Sequence, residues 1–105
     1  MLYARRDTPG VWLRRGAAEV QVAAALDPID WGSFRLRGDT LYWYRRGDGA
    51  VVATPLDGGL ERIAFRPAGR LPGYDPALDV SPDGRTLYFG QTDRYETDVR
   101  VVELR

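Results

Sequence analysis

The chain of 105 residues contains no cysteine and no histidine, and its 15 basic residues are all arginine. Without cysteine there is no disulfide, no thiolate nucleophile and no cysteine-held metal. The same absence leaves the compartment open, periplasmic or cytoplasmic, because a periplasmic protein need not carry disulfides. Without histidine the usual general base, the usual zinc ligand and a Ser-His-Asp triad are excluded within the chain. No apolar run approaches the roughly 18 residues of a membrane span. The opening MLYARRDTPG lacks the apolar core of a signal peptide. As it stands the chain reads as soluble, with no membrane segment and no address. Charge of either sign is missing in excess, since 15 Arg balance 15 Asp plus Glu. No long-range field draws it to nucleic acid or an anionic membrane surface.

What is present is the composition of a single globular domain with a modest core, 44% hydrophobic with 12 Gly and 7 Pro. Short alternating apolar runs are separated by turn residues, which predicts strands throughout and no helix. Met1 to Arg6 starts apolar with no preceding turn, as the middle of a strand does. Asp7-Thr8-Pro9-Gly10 then reads as a turn and Val11-Trp12-Leu13 as a second strand. Residues 17–26, AAEVQVAAAL, are ambiguous, because alanine favours helix while Val20, Gln21 and Val22 alternate. Further strands are expected at Phe34–Arg37, Thr40–Arg45, Ala50–Leu56, Leu60–Phe65, Leu78–Val80, Thr86–Gly90 and Asp98–Leu104. The Pro-rich stretch 66–77 joins two of them as a connector.

Self-similarity settles the ambiguous segment as strand. Leu2-Tyr3, Leu41-Tyr42 and Leu87-Tyr88 recur at spacings of 39 and 46 residues, each followed by a polar turn and a second strand. The chain divides into four-stranded units: strands B-C-D over residues 1–26, A-B-C-D over 33–66, and A-B-C over 77–105. Units of about 40 to 45 residues with four strands are the size of a propeller blade. LYWY is apolar on both faces, as a strand sandwiched between neighbours must be. The expected fold is all-β, about two and a half antiparallel blades of a partial propeller. The first unit is about three residues short between Trp12 and Glu19, which predicts a distorted hairpin there.

The segment DVSPDGRTLYF resembles the TolB-like, WD-repeat-like propeller repeat, whose hallmark is SPDG before an apolar strand. The resemblance extends over the whole chain, weakening to RGDT before Leu41 and lacking strand A at the start. The order PGVW, LDGG, SPDGRTLY, DVRVVEL resembles the C-terminal blades of bacterial propellers fused to winged-helix regulators. Ser81, Pro82, Asp83 and Gly84 form the structural turn, Pro82 and Asp83 at the centre of a type I turn and Gly84 in the left-handed position.

Other candidates reduce to structural roles. Arg37-Gly38-Asp39 and Arg46-Gly47-Asp48 spell the integrin tripeptide but are hairpin chemistry. Asp75, Asp79, Asp93, Glu96 and Asp98 match no calcium-loop spacing. No motif supports a glycosidase carboxylate pair, and Ser33 and Ser81 lack a histidine partner. Arg5-Arg6, Arg14-Arg15 and Arg45-Arg46 are interleaved with acids and read as solvated rims and salt bridges, not as a nucleic-acid surface. Trp31 reads as packing. Tyr3, Trp12, Tyr42, Trp43, Tyr88 and Phe89 are assigned to packing between blades.

The expected function is a non-catalytic module for protein interaction or ligand sensing, without cofactor or metal, in a larger regulator or periplasmic protein. Its partner would be held by loops at one end of the strands. Two rivals are the gating propeller of a prolyl-oligopeptidase-type serine peptidase and a self-associating structural module. Ten strands cannot close a ring, so open faces, carrying Tyr3, Trp12, Tyr88 and Phe89, and open edges are expected to drive self-association or to continue into a longer chain.

Overall fold

Alternating side chains and turn-forming Gly and Asp residues give ten strands and no helix among the described residues. The computed structural model describes residues 2–5, 8–26, 34–68, 78–92 and 97–104. The strands are β1 (Leu2–Arg5), β2 (Thr8–Arg15), β3 (Ala18–Val22), β4 (Arg35–Arg37), β5 (Thr40–Arg45), β6 (Ala50–Pro55), β7 (Arg62–Phe65), β8 (Leu78–Val80), β9 (Thr86–Thr92) and β10 (Thr97–Glu103). They form three separate antiparallel sheets: a first of β1-β2-β3, a central one of β4-β5-β6-β7 and a third of β8-β9-β10. In each sheet every strand pairs with its neighbour in sequence.

The central sheet is covered on both faces, which is why TLYWY has no polar alternation. Leu41, Trp43, Ala50 and Val52 pack with Val11 of the first sheet, and Leu2 and Val22 lie against the same cluster. Tyr42, Tyr44, Val51 and Ala53 point the other way and pack with Leu78, Val80, Leu87 and Phe89 of the third sheet. There the Phe65 and Phe89 rings meet at 5.7 Å in a tilted arrangement. The core is therefore two apolar layers, one on each side of β5 and β6.

Several local expectations change. Pro9-Gly10 is not a turn: β2 begins at Thr8, which pairs with Arg5. Gly10 instead meets the segment after β3, its N–H bonded to the Leu26 carbonyl at 3.0 Å. Its φ of +90° and the Ala23 carbonyl and Ala24 Cα only 3.0 Å from an added Cβ leave room for glycine alone. The strand predicted through residue 26 stops at Val22, because Ala23 adopts φ +50° and turns the chain inward, burying Ala23 and Leu26.

The first hairpin is regular rather than distorted. Val11↔Val22 through Arg15↔Ala18 pair without a shift, and Gly16 suits the first central position of a two-residue turn. Shortening removed loop, not strand. The irregularity lies instead between β6 and β7, where the register shifts at Val51/Val52.

The three Leu-Tyr pairs are also not in one phase. Leu41 and Leu87 both face the preceding sheet, whereas Leu2 faces the following one. The β1–β2 register also shifts between Tyr3 and Arg5, after the Leu-Tyr pair.

Candidate interaction surface

The SPDG turn is built from its own side chains. The Gly84 N–H donates to the Ser81 carbonyl at 2.9 Å, closing the turn, and the Ser81 N–H donates to the Thr86 carbonyl at 2.9 Å. The Ser81 hydroxyl donates to Asp83 Oδ1 at 2.6 Å and accepts from the Thr86 N–H at 3.0 Å. Asp83 also accepts from the Arg85 N–H at 3.0 Å. The Ser81 hydroxyl and then this amide hold the Asp83 carboxyl below its ordinary pKa. Gly84 has φ +74°, and a Cβ there would lie 3.3 Å from the Tyr42 hydroxyl. The turn therefore sits over the end of Tyr42, and the Ser81 hydroxyl and Asp83 Oδ1 are occupied by the hairpin they shape.

Six of the described charged residues are likewise tied to one another. Arg37 donates from Nε to the Val80 carbonyl at 2.7 Å and from Nη2 to Asp79 at 3.1 Å, while Arg35 reaches the same carboxylate at 3.2 Å. These contacts fasten edge strand β4 to edge strand β8. Asp48 accepts from Arg45 Nε at 2.8 Å and Nη2 at 2.7 Å, and Arg66 bonds its carbonyl at 2.9 Å. The Arg45 hydrogen bonds bring its pKa from 3.8 down to about 2. Arg46 lies 5.1 Å from the centre of the Tyr44 ring. Both Arg-Gly-Asp tripeptides are thus engaged in hairpins and ion pairs.

Among the described residues no group of three or more potential metal-ligating side chains comes together, and no helix is long and apolar enough to cross a membrane. Trp31, Ser33, Asp75, Asp93 and Glu96 lie outside the described residues, as do the side chains of Tyr3, Arg5, Arg6, Arg15 and Asp98.

The six aromatic residues assigned to packing fall in different places. Tyr42, Trp43 and Phe89 are buried between sheets. Phe89 faces inward, not onto an open face as the repeat suggested. Trp12 is half-buried and lies on the outward face of the first sheet, since Val11 beside it points to the centre. Tyr88 is 40% exposed on the outward face of the third sheet, and so is not between two sheets of this chain.

That outward face carries exposed apolar side chains close together. Tyr88 is directly opposite Val101, and Gly90 opposite Val99, with Val99 72% and Val101 61% exposed. β10 is the edge of its sheet, with no strand beyond it in the described sheet order. A second apolar feature is a groove of about 330 Å³ lined by Leu13, Val20, Val22, Pro55 and Leu56, between the first sheet and the end of β6.

Two relationships have little signature in the sequence. One is the Arg35–Asp79–Arg37 cluster, which needs β4 and β8 side by side. The other is Trp43 Nε1 donating to Thr54 Oγ1 at 2.8 Å, with Thr54 donating on to Glu61 at 3.0 Å. Only the need of a buried indole N–H for an acceptor points to it.

No family model matches this sequence, and neither a curated protein nor a solved structure matches it.

Proposed function

We propose that the chain is a non-catalytic interaction module built of propeller-type blades. The reading is supported by three meandering antiparallel sheets stacked face to face in chain order, the middle one apolar on both sides. It is supported also by the occupied Ser81 hydroxyl and by the absence of His and Cys from the chain. The observation that carries it is the uncovered face of Tyr88, Val99 and Val101. Aliphatic and aromatic side chains side by side on one sheet face lose water-exposed area when covered, at about 25 cal/mol per Å².

The test places a photoreactive phenylalanine analogue at Tyr88 and, separately, at Val101, with Leu60 as an exposed control on another surface. Protein adducts at 88 and 101 but not at 60 are expected in the cell of origin. Adducts at none of these positions overturn the reading. So does purified chain that hydrolyses peptide, ester or glycoside substrates above the buffer rate.

A further inference from the structure

We infer that a cavity between the central and third sheets binds a small organic carboxylate, held by Arg62, Arg85 and the Tyr42 hydroxyl. The inference goes beyond the interaction-module reading and does not depend on what covers Tyr88.

The cavity has a volume of about 390 Å³, within the range of small-molecule sites, and Tyr42, Arg62, Ala64, Gly84, Arg85 and Leu104 are among its walls. Its place follows from one row of the central sheet. Tyr42 of β5 is opposite Ala53 of β6, and Ala53 is opposite Arg62 of β7. The three side chains therefore share the face turned toward the third sheet. Ala53 puts only a methyl group between the tyrosine and the arginine, which leaves the space.

The facing wall comes from the third sheet. The Leu104 N–H donates to the Arg85 carbonyl at 2.6 Å, extending the β9–β10 ladder by one pair. Leu104 packs against the layer between the two sheets, so Arg85 opposite it lies on the same side. One arginine thus enters the cavity from each sheet.

Two observations point to a ligand. Tyr42 is only 6% exposed, yet its hydroxyl has no hydrogen-bond partner among the described residues. A buried hydroxyl ordinarily finds one. Gly84 keeps the hydroxyl open, because a Cβ there would lie 3.3 Å from it. The second observation is charge. Arg35, Arg37, Arg45 and Arg66 each reach a carboxylate, whereas Arg62 and Arg85 have no ion pair among the described residues.

The neighbouring acids are directed elsewhere. Asp83 Oδ1 accepts from the Ser81 hydroxyl and the Arg85 N–H. Glu61 accepts from Thr54, which lies in the layer on the other side of the sheet. Glu103 borders the cavity, but its side chain alternates with that of Leu104 and lies on the outward face. Two guanidinium groups and a hydroxyl therefore converge without a counter-ion. Arginine offers donors only, in a fork that matches a carboxylate. Leu104 and Ala64 add an apolar wall, which suits an organic anion with a short apolar body.

The test titrates the full chain with hexanoate and benzoate, with their neutral amides and with inorganic phosphate, following backbone amide signals by NMR. A carboxylate is expected to give saturable shifts centred on Gly84, Arg85 and Leu104, and its amide to bind about tenfold or more weakly. Arg62→Gln and Arg85→Gln, both at exposed positions, should each weaken carboxylate binding about tenfold. Tyr42→Phe keeps the ring in the core and should weaken it by a smaller factor. Arg66→Gln, outside the cavity, should leave it unchanged. Circular dichroism checks the folding of each variant, and should Tyr42→Phe unfold, the two arginine variants decide. Equal binding of carboxylate and amide, tighter binding of phosphate, or unchanged binding in both arginine variants overturns the inference. So does the absence of any saturable shift, an outcome that leaves the Tyr88 face and its crosslinking test untouched.

Discussion

Trp43 donates its indole N–H to the hydroxyl of Thr54 at 2.8 Å, diagonally across the β5–β6 hairpin and within the layer facing the first sheet. Thr54 is the one buried polar side chain in the described core, and it hands its own proton to Glu61. The bond lets a large indole sit between sheets without an unsatisfied donor.

Thr54→Val keeps the shape and removes the acceptor. It is expected to destabilise the fold by about 1 to 3 kcal/mol, the cost of leaving a buried donor unpaired. Thr54→Ser, which keeps the hydroxyl, should lie closer to wild type. Urea midpoints of the two variants check this, and equal midpoints would show that the bond contributes nothing.

Gly10→Ala forces a side chain into a left-handed conformation and against backbone 3.0 Å away. A loss of about 1 to 3 kcal/mol is expected from strain and crowding together. Gly47→Ala, with nothing within 4 Å of the new Cβ, is the control and should lie within about 0.5 kcal/mol of wild type. Thermal unfolding of both distinguishes close approach from a general glycine effect.

Acid should weaken the hairpins before it weakens the core. Asp48 and Asp83 have folded pKa values below the ordinary 3.8, the first because Arg45 hydrogen-bonds it and the second because Ser81 does. The unfolded chain takes up protons first, so their contribution is present above the ordinary carboxylate range. It is lost as pH falls from about 4 through the folded values, near 2 for Asp48. Asp48→Asn should therefore differ from wild type at neutral pH and converge on it in acid. A gap that stays constant across the range would exclude the ion pair as its source. Both groups are exposed, so salt should narrow the gap as well.

Arg37→Lys keeps the charge but loses the fork that reaches the Val80 carbonyl and Asp79 together. About 0.5 to 1.5 kcal/mol is the expected cost, concentrated at the contact between β4 and β8. Amide exchange should quicken in residues 78–80 and stay unchanged in the first sheet. Uniform quickening would show instead that the arginine supports the whole fold.

Strand positions were legible because Gly-Asp and Asp-Gly turns punctuate alternating runs, so β5 and β8 have the expected limits. What was not legible is phase. Leu2-Tyr3 spells the same pair as Leu41-Tyr42, yet Leu2 faces the following sheet and Leu41 the preceding one. Neighbours Tyr88 and Phe89 look alike in sequence, and only the covering sheet makes Phe89 core and Tyr88 surface. Pro9-Gly10 read as a turn because the requirement for glycine there comes from Ala23 and Ala24, thirteen or more residues away. The candidate site was legible as an expectation of open faces, but not as the particular trio Tyr88, Val99 and Val101.

Because each strand bonds only to its sequence neighbours, each sheet can form from a short stretch of chain, with small loops to close. As the polypeptide leaves the ribosome, the first sheet is complete before anything exists to cover it. Synthesis of β5 and β6 supplies that cover, and only with β8 and β9 does the central sheet gain its second layer. The nascent molecule thus always has one freshly made apolar face waiting for the next. A pause in translation after Phe65 would prolong the state in which Tyr42 and Val51 are bare, the stage most prone to mispairing with a neighbouring chain.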